Sequence, residues 1–326
     1  MLSAETPIDT ADTAVLCRWA SLLSSRVSMA TDSENTIDEI IETVARTAPE
    51  IQSGLPDRRE KSTEENPSGE EQLAADIYAD DLLAERLLAI PGVSTYASEE
   101  RAEVLDAEAV GEEANGDEAS ERLHVGVDPL DGSSNLKPNN TIGTILAVYD
   151  VPLPASGQDL RGAAYVLYGP ITTMMVARDG DLTEYLLRED GIETLREDVT
   201  LPGDPLVYGF GGRVPDWPAE FTEYVRSVES NPEFKLRYGG AMIGDVNQVL
   251  TYGGIFAYPA LQSAPEGKLR LQFEGNPIAY IIESAGGRSS DGEGSLLAIE
   301  PDGLHQRVPV HIGNGELIDR LEAALA

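Results

Sequence analysis

"LHVGVDPLDGSSN", residues 123–135, is the stretch on which the fold turns. Residues 123–127 alternate as a strand does, and Asp128 and Asp131 follow three positions apart, with Gly132, Ser133, Ser134 and Asn135 directly behind. In open α/β sheets, ligands collect at the carboxyl edge of the strands. The plainer alternative is that the two acids and Pro129 shape a turn, which Asp, Gly and Pro do routinely.

The flanking sequence bears on that choice. "VSTYASEE" (93–100) also alternates and ends in acids, Glu99 and Glu100. Before it, 72–90 carries Leu73, Ile77, Leu83, Leu87 and Leu88 at helical spacing together with Asp76 and Asp80, and Pro91-Gly92 stops the helix. If the two strands are neighbours in one sheet, their acidic ends converge. Carboxylates at one point repel, so some stay protonated or divalent cations neutralise them. An all-oxygen site suits Mg²⁺ or Mn²⁺, and a pair of such ions is the usual clamp for displacement at phosphorus. Gly132, Ser133 and Ser134 can turn backbone N–H groups toward an anion beside them. The set as a whole favours a metal-dependent phosphatase over decorated turns.

Elsewhere, 36–48 has helical spacing (Ile37, Ile40, Ile41, Val44), and 50–70 is polar and rich in Gly and Pro, the composition of a long loop. Residues 101–122 are acidic and close to low complexity, a solvated excursion. Three β-type runs follow the opening strand, the last with an Asp179-Gly180 hairpin signal. The character changes near "TLPGDP" (200–205), which divides the chain into an N-terminal domain, 1–201, and a C-terminal domain, 202–326. The second alternates helix and strand and includes a helix from Asn276 as cap, through Pro277 in the first turn, to Gly286.

The 326 residues include 41% hydrophobic ones, ample for a core, and carry a formal net charge of −35. Among the basic residues only Lys61, Lys137, Lys235 and Lys268 are lysines. Such a charge repels nucleic acid and anionic membranes, and costs stability unless salt screens it. The acids are spread along the chain, which fits solvation in a halophile's cytosol rather than an acidic binding tail. No apolar run approaches the ~20 residues of a membrane span, and "MLSAETPIDT" lacks the order of a signal peptide, so the expected location is cytoplasmic. Cys17 is alone, and His124, His305 and His311 lack metal-ligand spacing, so any metal takes oxygen ligands.

Taken in order, "NPSG" (66–69), Asp76, "YASEE", "VDPLDGSSN", "GTILAVY", "AYVLYG", "RYGGAMIGDV", "YGGIFAYPA", "GKLRLQFEGNPIAYIIESAGG" and "LHQRVPV" closely resemble the fructose-1,6-bisphosphatase family (class I type), over roughly residues 35–324. That family belongs to the lithium-sensitive, metal-dependent sugar and inositol phosphatases. The resemblance implies a layered αβαβα sugar-phosphatase fold of two α/β domains with the active site between them. It also implies hydrolysis of the 1-phosphate of fructose 1,6-bisphosphate, in gluconeogenesis, with two or more Mg²⁺ ions per site, or Mn²⁺. By the same resemblance Glu99, Asp128, Asp131, Glu274 and the Leu130 carbonyl are metal ligands. Asp76 and Glu100 prepare the attacking water, and Asn66 lies on a mobile catalytic loop. Gly132, Ser133 and Ser134 hold the phosphate that leaves. Tyr238, Met242, Tyr258 and Lys268 hold the sugar and its distal phosphate. Arg237 matches an arginine that reaches a neighbouring subunit, which implies a homo-oligomer, dimer or tetramer.

Two positions depart from the family pattern. Gly211 stands at an asparagine position and Val214 at a tyrosine position, each tied to the distal phosphate, with Arg213 near enough to substitute. Basic groups buried at that end would be costly without an anion. The N-terminal region matches poorly, so no AMP site is carried over, and the cysteines of thioredoxin-type control are absent. A related phosphatase for sedoheptulose bisphosphate or for sugar or inositol monophosphates stays open, as does a non-catalytic sugar-phosphate sensor. A sensor has no need of Asp76 and Glu100.

Overall fold

The computed structural model describes residues 32–67, 71–107 and 122–326. It begins with α1 (Asp32–Gly54), whose Ile37, Ile40, Ile41, Val44, Ala48 and Ile51 form one buried face. The loop expected from residue 50 therefore starts later. Ile51 and Leu55 continue the buried face past Pro49, and a 3-10 turn, Leu55–Asp57, follows. The polar stretch beyond hides a hairpin: β1 (Lys61–Glu65) pairs antiparallel with β2 (Glu71–Leu73).

The helix α2 (Ala74–Leu88) leads to β3 (Val93–Ser98), and β4 (Leu105–Asp106) folds back on β3. The rest of the acidic excursion, 108–121, lies outside the described residues. Then come β5 (Leu123–Asp131), β6 (Ile142–Tyr149), β7 (Leu160–Tyr168), β8 (Thr172–Arg178), β9 (Asp181–Arg188) and β10 (Gly191–Arg196). They form one sheet in the order β10-β9-β8-β7-β6-β5-β3-β4, in which only β3 and β5 run parallel. The β8–β9 turn is the one the sequence signals, with Asp179 and Gly180 both at positive φ (54° and 84°).

The second sheet has the order β12-β11-β13-β17-β15, from β11 (Val207–Phe210), β12 (Lys235–Leu236), β13 (Gly254–Tyr258), β15 (Arg288–Ser290) and β17 (Val310–Gly313). Its helices are α3 (Ala219–Glu229), α4 (Met242–Tyr252), α5 (Asn276–Ser284) and α6 (Gly315–Leu325), while β14 (Leu269–Arg270) and β16 (Arg307–Val308) pair separately. The α5 helix is not capped by Asn276. A π-type turn, Leu271–Gly275, precedes it, so Asn276 already has helical angles and its amide donates to Tyr149 Oη at 3.2 Å. Gln272 pins that turn to the first half of the chain by donating to Ala155 O and accepting from Ala155 N, both at 2.9 Å.

Burial divides into layers. Leu123, Val125 and Val127 of β5 face α1 and α2 in one core. Ile145, Tyr165 and Met175 on the opposite face of the first sheet pack with Ile243 and Val246 of α4, Ile278 and Ile282 of α5, and Phe256 and Ile312 of the second sheet. The outer face of the second sheet, with Phe210 and Ile255, closes on Phe221 of α3 and Leu317 of α6. The order is helix, sheet, helix, sheet, helix, the αβαβα architecture expected. Among the described residues no helix is long and apolar enough to cross a membrane.

Candidate active site

The strand β5 is buried along its whole length, so its acids are delivered into the molecule rather than onto the surface. Opposite β6, Asp128 pairs with Ile145 and Asp131 with Gly143, so three steps on β5 face two on β6. The extra residue is a bulge. It shifts the alternation of side chains by one, which lets two acids three positions apart face one cavity. Glu99 follows the parallel neighbour β3 and donates its N–H to Val127 O at 3.0 Å, which sets it beside Asp128. Glu274 comes from the π-type turn, a geometry often found at functional sites. Carboxylate oxygens of the buried residues Glu99, Asp128 and Glu274 lie within 4.8 Å of one another.

A cavity of about 590 Å³ opens over this cluster, and every site residue named from the sequence lines it except Arg237. Asp131 Oδ2 accepts the Ile243 N–H at 2.8 Å, so this acid also anchors the first turn of α4, where Met242 lies. Asp76 Oδ2 accepts the Leu73 N–H at 2.7 Å, and the Ser133 hydroxyl bonds the same carboxylate. Gly132 sits at φ 70°, and a Cβ there would stand 2.1 Å from Ala241 Cβ, so only glycine fits between the two halves of the site. Asn66 is buried at the end of β1 and lines the cavity. Asp80 does not join the cluster. It accepts from Tyr96 Oη at 2.8 Å and pairs with Arg101 at 2.5 Å.

Two residues of the site escaped the sequence reading. Arg270, 3% exposed, places Nη1 2.7 Å from Glu99 Oε1, and its backbone N–H donates to Glu274 Oε2 at 2.6 Å. Gln72 is buried and donates to Glu100 Oε2 at 2.5 Å and to the Glu100 carbonyl at 3.2 Å. The expectation of buried basic groups at the distal end is corrected: Lys268 and Arg237 are both exposed, and the buried base is Arg270. Lys268 lies at the cavity rim and Arg237 outside the lining, and with both residues open to water neither needs an anion to stay charged. Arg237 follows the edge strand β12 and does not line the cavity; its Nη1 donates to Leu236 O. Arg213 and Val214 are exposed, and neither lines the cavity.

Burial is the main cause that pushes the Asp128 carboxyl well above the usual range, with Glu99, Asp131 and Glu274 adding repulsion. Burial likewise raises Asp76 to about 6, Asp131 to about 7 and Glu100 to about 8. One guanidinium cannot neutralise so many acids. An all-carboxylate donor set of this kind fits a hard divalent cation.

These shifts set the sign of a pH effect. Without divalent cations the native state holds protons that the unfolded chain releases near pH 4, so stability is greatest at acid pH and is lost as pH rises through the native values. With a chelator present, the melting temperature is expected to fall between about pH 5 and about pH 8, and saturating divalent cation should flatten that slope. A melting temperature that rises across this window in chelator contradicts the assignment of the cluster.

Comparison with known proteins agrees with this geometry. Residues 35–193 match the family model of the fructose-1,6-bisphosphatase N-terminal domain, and residues 201–326 that of the C-terminal domain. The fructose-1,6-bisphosphatase class 1 of Natronomonas pharaonis is 60% identical over 292 residues, 89% of this chain and 99% of that one. That of Haloarcula marismortui is 54% identical over 293 residues, 90% of this chain and 96% of that one. The crystal structure of Leishmania major fructose-1,6-bisphosphatase in holo form superposes with a TM-score of 0.83 at 25% identity, covering 98% of this chain and 99% of that chain. With both halves matched in order and the acids of both gathered on one cavity, the chain belongs to the fructose-1,6-bisphosphatase family.

Proposed function

We propose that this chain hydrolyses the 1-phosphate of fructose 1,6-bisphosphate to fructose 6-phosphate and phosphate. The observation that carries the reading is one cavity bearing three sets of groups: the acid cluster, the Gly132–Ser133–Ser134 turn, and a rim with Tyr238, Tyr258 and Lys268. Glu99, Asp128 and Glu274 would hold a divalent cation, with Asp131, Glu100 and the Leu130 carbonyl beside them. When bound, Mg²⁺ or Mn²⁺ supplies charge neutralisation at the phosphoryl oxygens and a water of lowered pKa.

The chain's own residues do the rest. Asp76 and Glu100 repel each other, and burial raises them to about 6 and about 8, so near pH 7 Asp76 is mainly ionised and can accept a proton from water while Glu100 mainly holds one. The Gly132 and Ser133 amides hold the phosphate at the start of the short 3-10 turn Ser133–Leu136. Met242 forms part of the wall against which the sugar lies, and Lys268 attracts the far phosphate from the rim. On this reading the protein works in the cytoplasm as a homo-oligomer, with Arg237, beside the edge strand, turned toward a neighbouring subunit.

A contact at one end of the substrate binds ground and transition states alike, so its loss appears in KM. Lys268→Ala is expected to raise KM for fructose 1,6-bisphosphate about tenfold, close to the strength of one charge-assisted contact, and to narrow the preference over a sugar monophosphate by a similar factor. Equal losses on both substrates point to a monophosphatase instead. No phosphate release from the bisphosphate by the wild type refutes the assignment.

A further inference from the structure

Gly211 follows β11 and donates its N–H to Ala257 O at 2.8 Å, while its carbonyl accepts from Trp217 Nε1 at 2.8 Å. Its backbone is not in the left-handed region, so conformation alone does not demand glycine. The Tyr258 ring does. A Cβ on Gly211 would stand 2.2 Å from Cδ2, 2.6 Å from Cε2 and 2.8 Å from Cγ of that ring. These are atoms at the root and flank of a planar group, not the far end of a flexible chain. The next residue, Gly212, is at φ 85°, and its backbone hydrogen-bonds the Tyr238 phenol. A Cβ on Gly212 would also strike Leu261 Cδ2 at 2.7 Å. Two bare peptides therefore serve two tyrosines of one cavity, and the phenols are close enough to interact electrostatically.

From the sequence, Gly211 reads as a lost contact. We propose that it is instead a positioning residue for the anion at the far end of the cavity: the missing side chain is the space in which the Tyr258 ring lies, and that seat aims the Tyr258 hydroxyl into the cavity beside Tyr238 and Lys268. The inference rests on reading this cavity as the site of a sugar bisphosphate. It follows that a larger residue at 211 weakens the site even when it brings a new hydrogen-bond donor. Trp217 and Ala257 hold the 211 peptide from both sides, so the chain cannot step back to admit a Cβ, and the ring must turn.

Steady-state kinetics on the wild type, Gly211→Ala, Gly211→Asn and Tyr258→Phe test this. Gly211→Ala and Gly211→Asn are each expected to raise KM for fructose 1,6-bisphosphate about fivefold or more, with a smaller change in kcat, and Tyr258→Phe to do so by a similar factor. Gly211→Ala added to Tyr258→Phe should cost little further, because residues in contact do not add. In a Tyr258→Ala background, where the ring is gone, Gly211→Ala should be neutral in both melting temperature and KM, a comparison that works even if the single variant folds poorly. An unchanged KM in Gly211→Ala, a lower KM in Gly211→Asn, or a penalty that persists without the ring overturns the inference. A wild type inactive on the bisphosphate removes the functional reading beneath it, and the inference with it.

Discussion

Asp128→Asn is expected to lower phosphate release by more than about a hundredfold, beyond the tenfold to hundredfold typical of partners outside a metal's ligand set. In chelator the same variant is expected to melt at a higher temperature than the wild type. Both follow from one arrangement. Asp128 is 3% exposed, and Glu99, Asp131 and Glu274 raise its proton affinity on top of burial. The amide keeps the shape and can still accept the Leu130 N–H that Asp128 Oδ1 accepts at 3.0 Å. What it removes is a group that would serve a cation and that, without one, folds only by taking up a proton or by burying a charge among other acids. A gain of about 1 kcal/mol corresponds to roughly 1–2 °C in a chain of 326 residues. Wild-type turnover in the variant would take Asp128 out of the ligand set. Inactivity together with a lower melting temperature in chelator would make it a structural acid.

This opposition of stability and activity bears on the non-catalytic alternative. A sugar-phosphate sensor gains nothing from three buried acids and a half-buried one held above their ordinary pKa, since each costs stability whenever the cation is absent. Asp76 and Glu100 add to that cost without belonging to the trio that shares 4.8 Å. Under the proposed function, proton transfer gives them a role.

How much of this could be read beforehand varies with the physical range of the signal. The alternation in 123–127, the acids behind it and the Asp179-Gly180 turn are local, and each appears in the structure where the residues place it. The convergence of Glu99 with Asp128 needed one further condition, that β3 and β5 be neighbours, and they are. The bulge between Asp128 and Asp131 was not legible, because a bulge is defined by the partner strand's count and not by its own sequence. The π-type turn before α5 was hidden for a similar reason. Asn276-Pro277 reads as a helix start by local preference, but the preceding five residues are wound as a π-type turn, with Gln272 held by the distant Ala155 and Glu274 by the backbone N–H of Arg270 four residues before it. Arg270 shows no periodic or motif signal that separates a buried arginine from an exposed one. Its role appears only when Glu99, distant in sequence, lies beside it.

The largest effect expected of the whole molecule is on its dependence on salt. In KCl the melting temperature should rise by about 10 °C or more between ~0.1 M and several molar, because the Debye length falls from ~10 Å to ~3 Å by 1 M. The formal net charge is −35, and the acids are spread along the chain. The structure offers local relief only, in pairs such as Arg86–Glu50 and Arg188–Glu193, whose exposure leaves each contributing little. Repulsion summed over the surface is thus met mainly by the ions of the solvent. The shape of the rise separates two causes. If screening dominates, most of the gain comes below ~1 M, since beyond that the Debye length has little left to lose. A gain that continues linearly to several molar would instead reflect bound ions or a salt-strengthened apolar core. Millimolar divalent cation cannot substitute for either, because it neutralises one cavity and leaves the surface as it was. A melting temperature indifferent to KCl would mean that the acidic surface is a partner's footprint rather than an adaptation to brine.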